Sequence, residues 1–214
     1  MSTLTLEGMT LRDVYQVLTR IVAPRPIAFV STLSAEGKRN LSPFSYFNLG
    51  GANPPSVVFS VLHDRHGQAK DTLLNVRETQ EFCISVVTRA MAERMNTASA
   101  AFPRGTDEFT QAGFTPVASD TIRPPRVAES PASMECRLFA LVPHGDGPLA
   151  AHYVIGEVLR IHLDDDILDP AGFPDPTHLD LLGRLGGDWY LHTPTSSMFE
   201  LARPSDPPAS QGRS

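Results

Sequence analysis

The triplet Lys70-Asp71-Thr72 joins a cation to a short hydroxyl donor. At the start of a helix it would add free backbone N–H groups, and the three together suit one phosphate. The same residues also read as a capped helix with a surface lysine, and the triplet alone leaves both readings open. Ser42-Pro43-Phe44-Ser45 is equally two-sided: its hydroxyls and N–H groups either hydrogen-bond the edge of a heterocycle or satisfy a turn. His63-Asp64-Arg65-His66 offers two imidazoles, but they follow a strand in a polar loop with no third ligand nearby, which favours a solvated loop over a metal site. The acidic run Asp164–Asp166 lacks the glycine and terminal glutamate of a calcium loop, so no metal is expected. There is no GxGxxG after a strand, no GxxxxGK[ST], no GxSxG elbow and no HExxH. A nucleotide, if bound, is held by another scheme.

The elements that must position these residues follow from periodicity. TLRDVYQVLTRIV places Leu11, Val14, Val17, Leu18 and Ile21 near helical spacing, and Pro24 stops that helix. IAFVSTL, a turn at AEG, and KRNLSPFSYF predict an antiparallel hairpin, with PPSVVFSV as the next strand. A helix is predicted near Asp71, capped by Asp71 or Thr72, followed by a strand at EFCISVV. A second helix through TRAMAERMNTAS sets Met91, Met95 and Ala98 on one face, read as core packing with Thr88 as cap. Residues 103–131, rich in Pro, Gly, Asp and Thr, predict a long irregular connection with at most short strands. Two long strands follow, one with Met134, Cys136, Leu138, Ala140 and Val142 on a face, the other with Tyr153, Ile155, Leu159, Ile161 and Leu163. A last strand lies around Trp189–Leu191. Many strands without regular strand–helix alternation point to an antiparallel barrel with peripheral helices.

The chain has 214 residues, 41% hydrophobic, enough for a single domain over 1–201; the Pro/Ser-rich tail 202–214 is expected to be disordered. Its formal charge of -6 and the lack of a basic run exclude nucleic acid as a partner. No basic head precedes an apolar core and no apolar stretch is long enough to span a bilayer, so a cytoplasmic protein without a membrane partner is expected. Cys83 and Cys136 lie apart in apolar runs and are read as buried, reduced thiols.

PRPIAFVST (24–32), NLSPFSYFN (40–48), PPSVVFSV (54–61), KDTLLNVRET (70–79) with EFCISVV, and RPPRVAESP with the later MEC (134–136) recur in one order. With HYVIGEVLRIHLDDDIL (152–168) and GRLGGDWY (183–190), they resemble the flavin reductase-like, FMN-binding split-barrel proteins of the flavoredoxin-like branch. The resemblance covers nearly the whole chain apart from its termini. It implies a six-stranded Greek-key split barrel that forms a homodimer with FMN at the interface. Carried over by residue, Arg25, Ser31, Thr32, Ser42, Pro43, Phe44, Ser45 and Asn48 frame the isoalloxazine and ribityl chain. Ser60, Lys70, Asp71 and Thr72 lie toward the phosphate, and Arg184 and Trp189 close the pocket from the same or the other chain.

A flavin carries its own redox chemistry, so a protein poor in acid–base pairs fits such a site. The reading expected is an NAD(P)H-dependent FMN reductase, passing hydride from a nicotinamide to FMN and on to a flavin, a monooxygenase partner or another acceptor. A flavoredoxin-like FMN electron carrier is the alternative, and a barrel without flavin turnover a more distant one.

Overall fold

The computed structural model describes residues 1–204, so most of the tail read as disordered (202–214) lies outside the described residues. The chain opens with helix α1 (Leu11–Ile21), whose start is fixed by Thr10: its Oγ1 accepts from Asp13 N at 3.1 Å and donates to the Asp13 carboxylate at 2.8 Å. Strands β1 (Arg25–Pro26), β2 (Ala28–Leu33), β3 (Arg39–Phe44), β4 (Phe47–Ala52) and β5 (Pro55–Leu62) follow. Next come α2 (Asp71–Thr79), β6 (Glu81–Ser85), α3 (Ala92–Ala98), α4 (Glu108–Ala112) and the short strands β7 (Pro116–Val117) and β8 (Arg126–Val127). The long strands β9 (Ala132–His144) and β10 (Ala151–Leu163) precede β11 (Leu182–Arg184) and β12 (Tyr190–His192). Among the described residues no helix is long and apolar enough to cross a membrane.

The main sheet has seven antiparallel strands in the order β3-β2-β6-β9-β10-β5-β4. β3 and β4 are its two edges, yet only Ser45 and Tyr46 separate them in sequence. So short a link forces the sheet to curl until its edges adjoin; at the corner Ser60 N extends the β4–β5 ladder to Tyr46 O at 2.8 Å. The result is a mainly β split barrel with peripheral helices. The resemblance implied six strands and the main sheet has seven; KRNLSPFSYF, read as one extended run, is broken by the corner at Ser45–Tyr46 into β3 and β4.

β2 is buried on both faces from Ala28 to Thr32, which is why Ala28, Phe29 and Val30 run together without polar alternation, while the hydroxyls of Ser31 and Thr32 are buried with partners. Ala28 and Val30 face the barrel interior with Phe59, Phe82, Ile84 and Val154, while Phe29 packs outside with Met91, Met95, Phe109 and Phe114. The methionine stripe is therefore core, and both cysteines are buried and free. Burial pushes the Cys83 thiol up to about 12. Gly156 is required on β10: a Cβ there would lie 2.3 Å from Cζ of Phe82 inside the barrel.

Several boundaries differ from the sequence reading. Lys70, not Asp71 or Thr72, occupies the cap position of α2, with no side-chain cap. Thr88 likewise stands before a single 3-10 turn (Arg89–Met91) without capping it. The irregular connection contains α4, five residues capped by Asp107. On β10 the buried residues are His152, Val154 and Gly156, while Tyr153, Leu159 and Ile161 are exposed. A register shift between Ile155 and Gly156 skips Phe139 on β9, so Leu138 and Leu141 both reach the core and Val142 faces out. Alternation found the right strands but selected the wrong face of β10.

Candidate functional site

The corner between β3 and β4 opens a cavity of about 550 Å³. Pro43, Phe44 and Ser45 supply one side, Ser60 and Leu62 of β5 another, and Lys70 stands at its rim. Tyr15 of α1, Tyr46, Leu149 and the segment His63–His66 complete it. That segment is held by Asp64, whose Oδ1 accepts from the N–H groups of His66 and Gln68, both at 2.8 Å. These backbone bonds hold the Asp64 carboxyl below its ordinary value. The loop so ordered presents His63, Arg65 and His66 to the cavity.

The charge balance is one-sided. Neither Lys70 nor Arg65 has a carboxylate within ion-pair distance among the described residues. Lys70 is exposed overall, yet desolvation of its ammonium lowers its pKa, against the pull of Asp64. At the start of α2 the N–H groups of Asp71 and Thr72 have no protein acceptor among the described residues. Two cations at the cavity and an apolar wall of Phe44 and Leu62 fit an anionic ligand with a planar ring, with the free amides of α2 next to Lys70 in sequence.

Five of the residues named from the sequence, Pro43, Phe44, Ser45, Ser60 and Lys70, thus meet in one cavity. The others lie behind or beside it. Thr72 Oγ1 donates to Asn40 Oδ1 at 2.7 Å, and Thr32 Oγ1 donates to the same oxygen at 3.1 Å while accepting from Asn75 at 3.0 Å. Asn40 Nδ2 and Leu41 N then donate to Glu108, a carboxyl that burial raises against those bonds. This buried hub locks the start of α2 to β2, β3 and α4, and so sets where Lys70 stands. Asp71 accepts from Gly105 N at 2.8 Å, and Ser31 donates to Pro125 O.

Arg25, 7% exposed, donates to the carbonyls of Thr19 and Val22, both at 2.6 Å, and to Leu185 O at 3.0 Å, with Ser45 Oγ 3.5 Å from its Nε. It clamps the end of α1 to the 185–189 turn beside the cavity. That turn lies close because residue 186 is glycine: a Cβ there would sit 2.2 Å from Arg20 Cγ. Ser42 stands opposite Val30 on β3, and exposed Asn48 on β4 uses Oδ1 to accept from Leu49 N at 2.9 Å. Arg184 covers the Tyr190 ring and donates to Gly187 O, and Trp189, 74% exposed, lines a separate cleft with Arg20. Within one chain neither reaches the Pro43–Lys70 cavity.

The sequence reading missed Tyr15, Tyr46, Arg65 and Leu149, and it weighed His63 and His66 only as metal ligands. For His63, Arg65 and His66 the one signal was position, directly between the β5 strand and the Lys70 helix; Tyr15, Tyr46 and Leu149 stand elsewhere in the sequence and carried none. A further cluster, Asp120, Glu135 and His162, has the composition of a metal site. Its central carboxylate is already filled, however: Glu135 accepts from Asp120 N, Thr121 N, the Thr121 hydroxyl and His162 Nε2, so the trio latches the 119–125 loop to the sheet.

A family model described as a flavin reductase like domain matches residues 20–178. The fold is similar to nitrilotriacetate monooxygenase component B from Bacillus cereus, with a TM-score of 0.87 and 33% identity over 94% of this chain and 98% of that one. It is also similar to the 2-nitrobenzoate 2-nitroreductase NbaA of Pseudomonas fluorescens, with a TM-score of 0.84 and 31% identity over 98% and 100% of the two chains. Flavoredoxin of Desulfovibrio vulgaris shares the fold, with a TM-score of 0.71 at 21% identity over 99% and 100%.

Proposed function

The chain belongs to the flavin reductase-like domain family, and we propose on that footing that it is an FMN-dependent oxidoreductase oxidising NAD(P)H. The observation that carries this reading is the cavity with two cations, Lys70 and Arg65, that lack a carboxylate partner among the described residues, beside an apolar wall of Phe44 and Leu62. Lys70, Arg65 and the amides of Asp71 and Thr72 would take the phosphate, and Ser45 and Ser60 the polar edges of the ligand. One cofactor phosphate suits this single cationic rim, hence FMN. When bound, the flavin supplies hydride chemistry, and the chain has to bind, orient and shield it. Phe44, Tyr46 and Leu62 exclude water on one side, while Arg25 fixes the corner that carries Ser45.

Helix α1 borders the cavity through Tyr15. That helix exposes Leu11, Leu18 and Ile21, with Val22 and Trp189 close in the chain's fold. An apolar stripe left in solvent calls for a cover. We read it as a homodimer interface, through which Arg184 and Trp189 approach the neighbouring cavity. The likeness to a monooxygenase component B supports a monooxygenase partner as the final acceptor.

The test is the absorbance spectrum of the purified protein, followed by NADH and NADPH oxidation with and without added FMN. The expected result is micromolar or tighter FMN uptake and flavin-dependent nicotinamide oxidation. A yellow protein that oxidises neither nicotinamide is an electron carrier instead, and a protein that takes up no FMN refutes both.

A further inference from the structure

The loop that follows β5 brings an imidazole to the cavity in a particular state. His63 N donates to Ala150 O at 2.9 Å, and its ring Nδ1 lies 3.2 Å from Gly147 O. A carbonyl only accepts, so Nδ1 carries a hydrogen in that bond. The other ring nitrogen, Nε2, has no protein partner among the described residues, and His63 lines the cavity. The ring is stacked on His152 of β10, with centroids 4.6 Å apart and 33° between the planes.

His152 is 6% exposed and its Nδ1 is buried without any hydrogen-bond partner. Burial lowers its pKa, and His63 and Arg77 add to the effect. A positive charge is therefore disfavoured on His152, the buried ring of the stack. The other charged groups around His63 are Asp64, Arg65 and His66 of its own loop, Lys70 and Arg77 from the α2 side, and Asp146 next to Gly147. The phenols of Tyr15 and Tyr46 line the same cavity. Asp64, the nearest acid, is already engaged by two backbone N–H groups.

We propose that His63 holds the reacting proton at this cavity and delivers it from Nε2 to an acceptor that takes up a hydride there, with His152 as the positioning residue beneath it. The proposal rests on the flavin reading above and deepens it by naming the acceptor class: polarised double bonds that need a proton as well as two electrons. A hydride from the reduced flavin bonds to one atom of the double bond, and the π electron pair moves to the other. That atom bonds the Nε2 proton, the N–H electron pair stays on nitrogen, and water reprotonates the ring. Imidazole is the side chain whose charge changes most readily near neutral pH, as a proton donor used once per turnover must.

His63→Asn keeps a donor for the Gly147 carbonyl but cannot exchange a proton near neutral pH. FMN uptake is measured first. The FMN-loaded protein, its flavin first reduced with dithionite without oxygen, is then given either an α,β-unsaturated ketone or ferricyanide, which takes one electron and no proton. The ketone-to-ferricyanide rate ratio at pH 7 falls roughly 100-fold in His63→Asn. In the protein before flavin is added, nitrogen NMR of the imidazoles shows His63 Nδ1 protonated throughout and Nε2 titrating. An unchanged ratio, whether both rates fall together or neither falls, overturns the proposal, as does a titrating Nδ1. A wild-type protein that takes up no FMN overturns the functional reading and this proposal with it, and that uptake measurement separates the two failures.

Discussion

Replacing Thr72 with valine separates two roles for the start of α2. Thr72 is 1% exposed and its hydroxyl donates to Asn40 Oδ1 at 2.7 Å, on the side away from the cavity rim. Valine keeps the volume and removes that one hydrogen bond. Asn40 Oδ1 retains its bond from Thr32, so no acceptor is left bare. The loss is that of one buried neutral hydrogen bond, about 1 kcal/mol, which lowers Tm by roughly 2–4 °C in a chain of this size. FMN affinity, read by quenching of flavin fluorescence, changes less than about threefold, because the Thr72 amide survives. Lys70→Ala provides the contrast: losing a charge-assisted contact at an exposed rim weakens FMN binding roughly tenfold with Tm unmoved. The reasoning is refuted if Thr72→Val weakens FMN tenfold or more at unchanged Tm, since the hydroxyl would then serve the phosphate and not the hub.

Glu135→Gln tests the latch and its pH dependence. Burial alone would raise this carboxyl, but the Thr121 hydroxyl, the Asp120 and Thr121 amides and His162 outweigh it and hold it at about 2. A depressed carboxyl stabilises the fold fully above its unfolded value near 4.5, and that contribution, about 3 kcal/mol, is lost as pH falls from there toward 2. The gap between the denaturant midpoints of wild type and variant should narrow by about half between pH 5 and pH 3, and a constant gap from pH 7 to 3 counts against the latch. Gly156→Ala forces a Cβ against the Phe82 ring and should cost about 1–3 kcal/mol by chemical denaturation; a neutral result would mean that the ring turns aside freely. Leu18→Glu with Ile21→Glu charges the exposed face of α1 and should leave a folded monomer by light scattering, whereas an unchanged oligomer puts the interface elsewhere.

Local chemistry made much of this fold legible. The β2–β3 hairpin, the entry of β5 after two prolines, and the helices after Thr10 and Lys70 each follow from a pattern a few residues long. Where the reading went astray, the cause was not local. Tyr153, Leu159 and Ile161 alternate as a buried face would, but the core side of β10 is set by the Phe82 ring above Gly156 and by the register shift opposite Phe139. The apolar stripe of α1 is real, yet it lies on the surface. A stripe announces that something covers it and does not say what.

The sequence by itself determined the family, the order of the strands along the chain and the presence of a lysine and a hydroxyl at a helix start. Those are matters of residue type and spacing, which survive any arrangement in space. Only the tertiary structure decided which of these groups are free. Closure of the barrel at Ser45–Tyr46 brings Phe44, Ser60 and Lys70 together with a loop that reads in sequence as solvated. The same closure turns Thr32, Thr72 and Arg25 toward partners inside the protein. A hydroxyl or guanidinium has the same donors wherever it stands, and whether it meets a ligand or its own chain depends on contacts made between residues far apart in sequence.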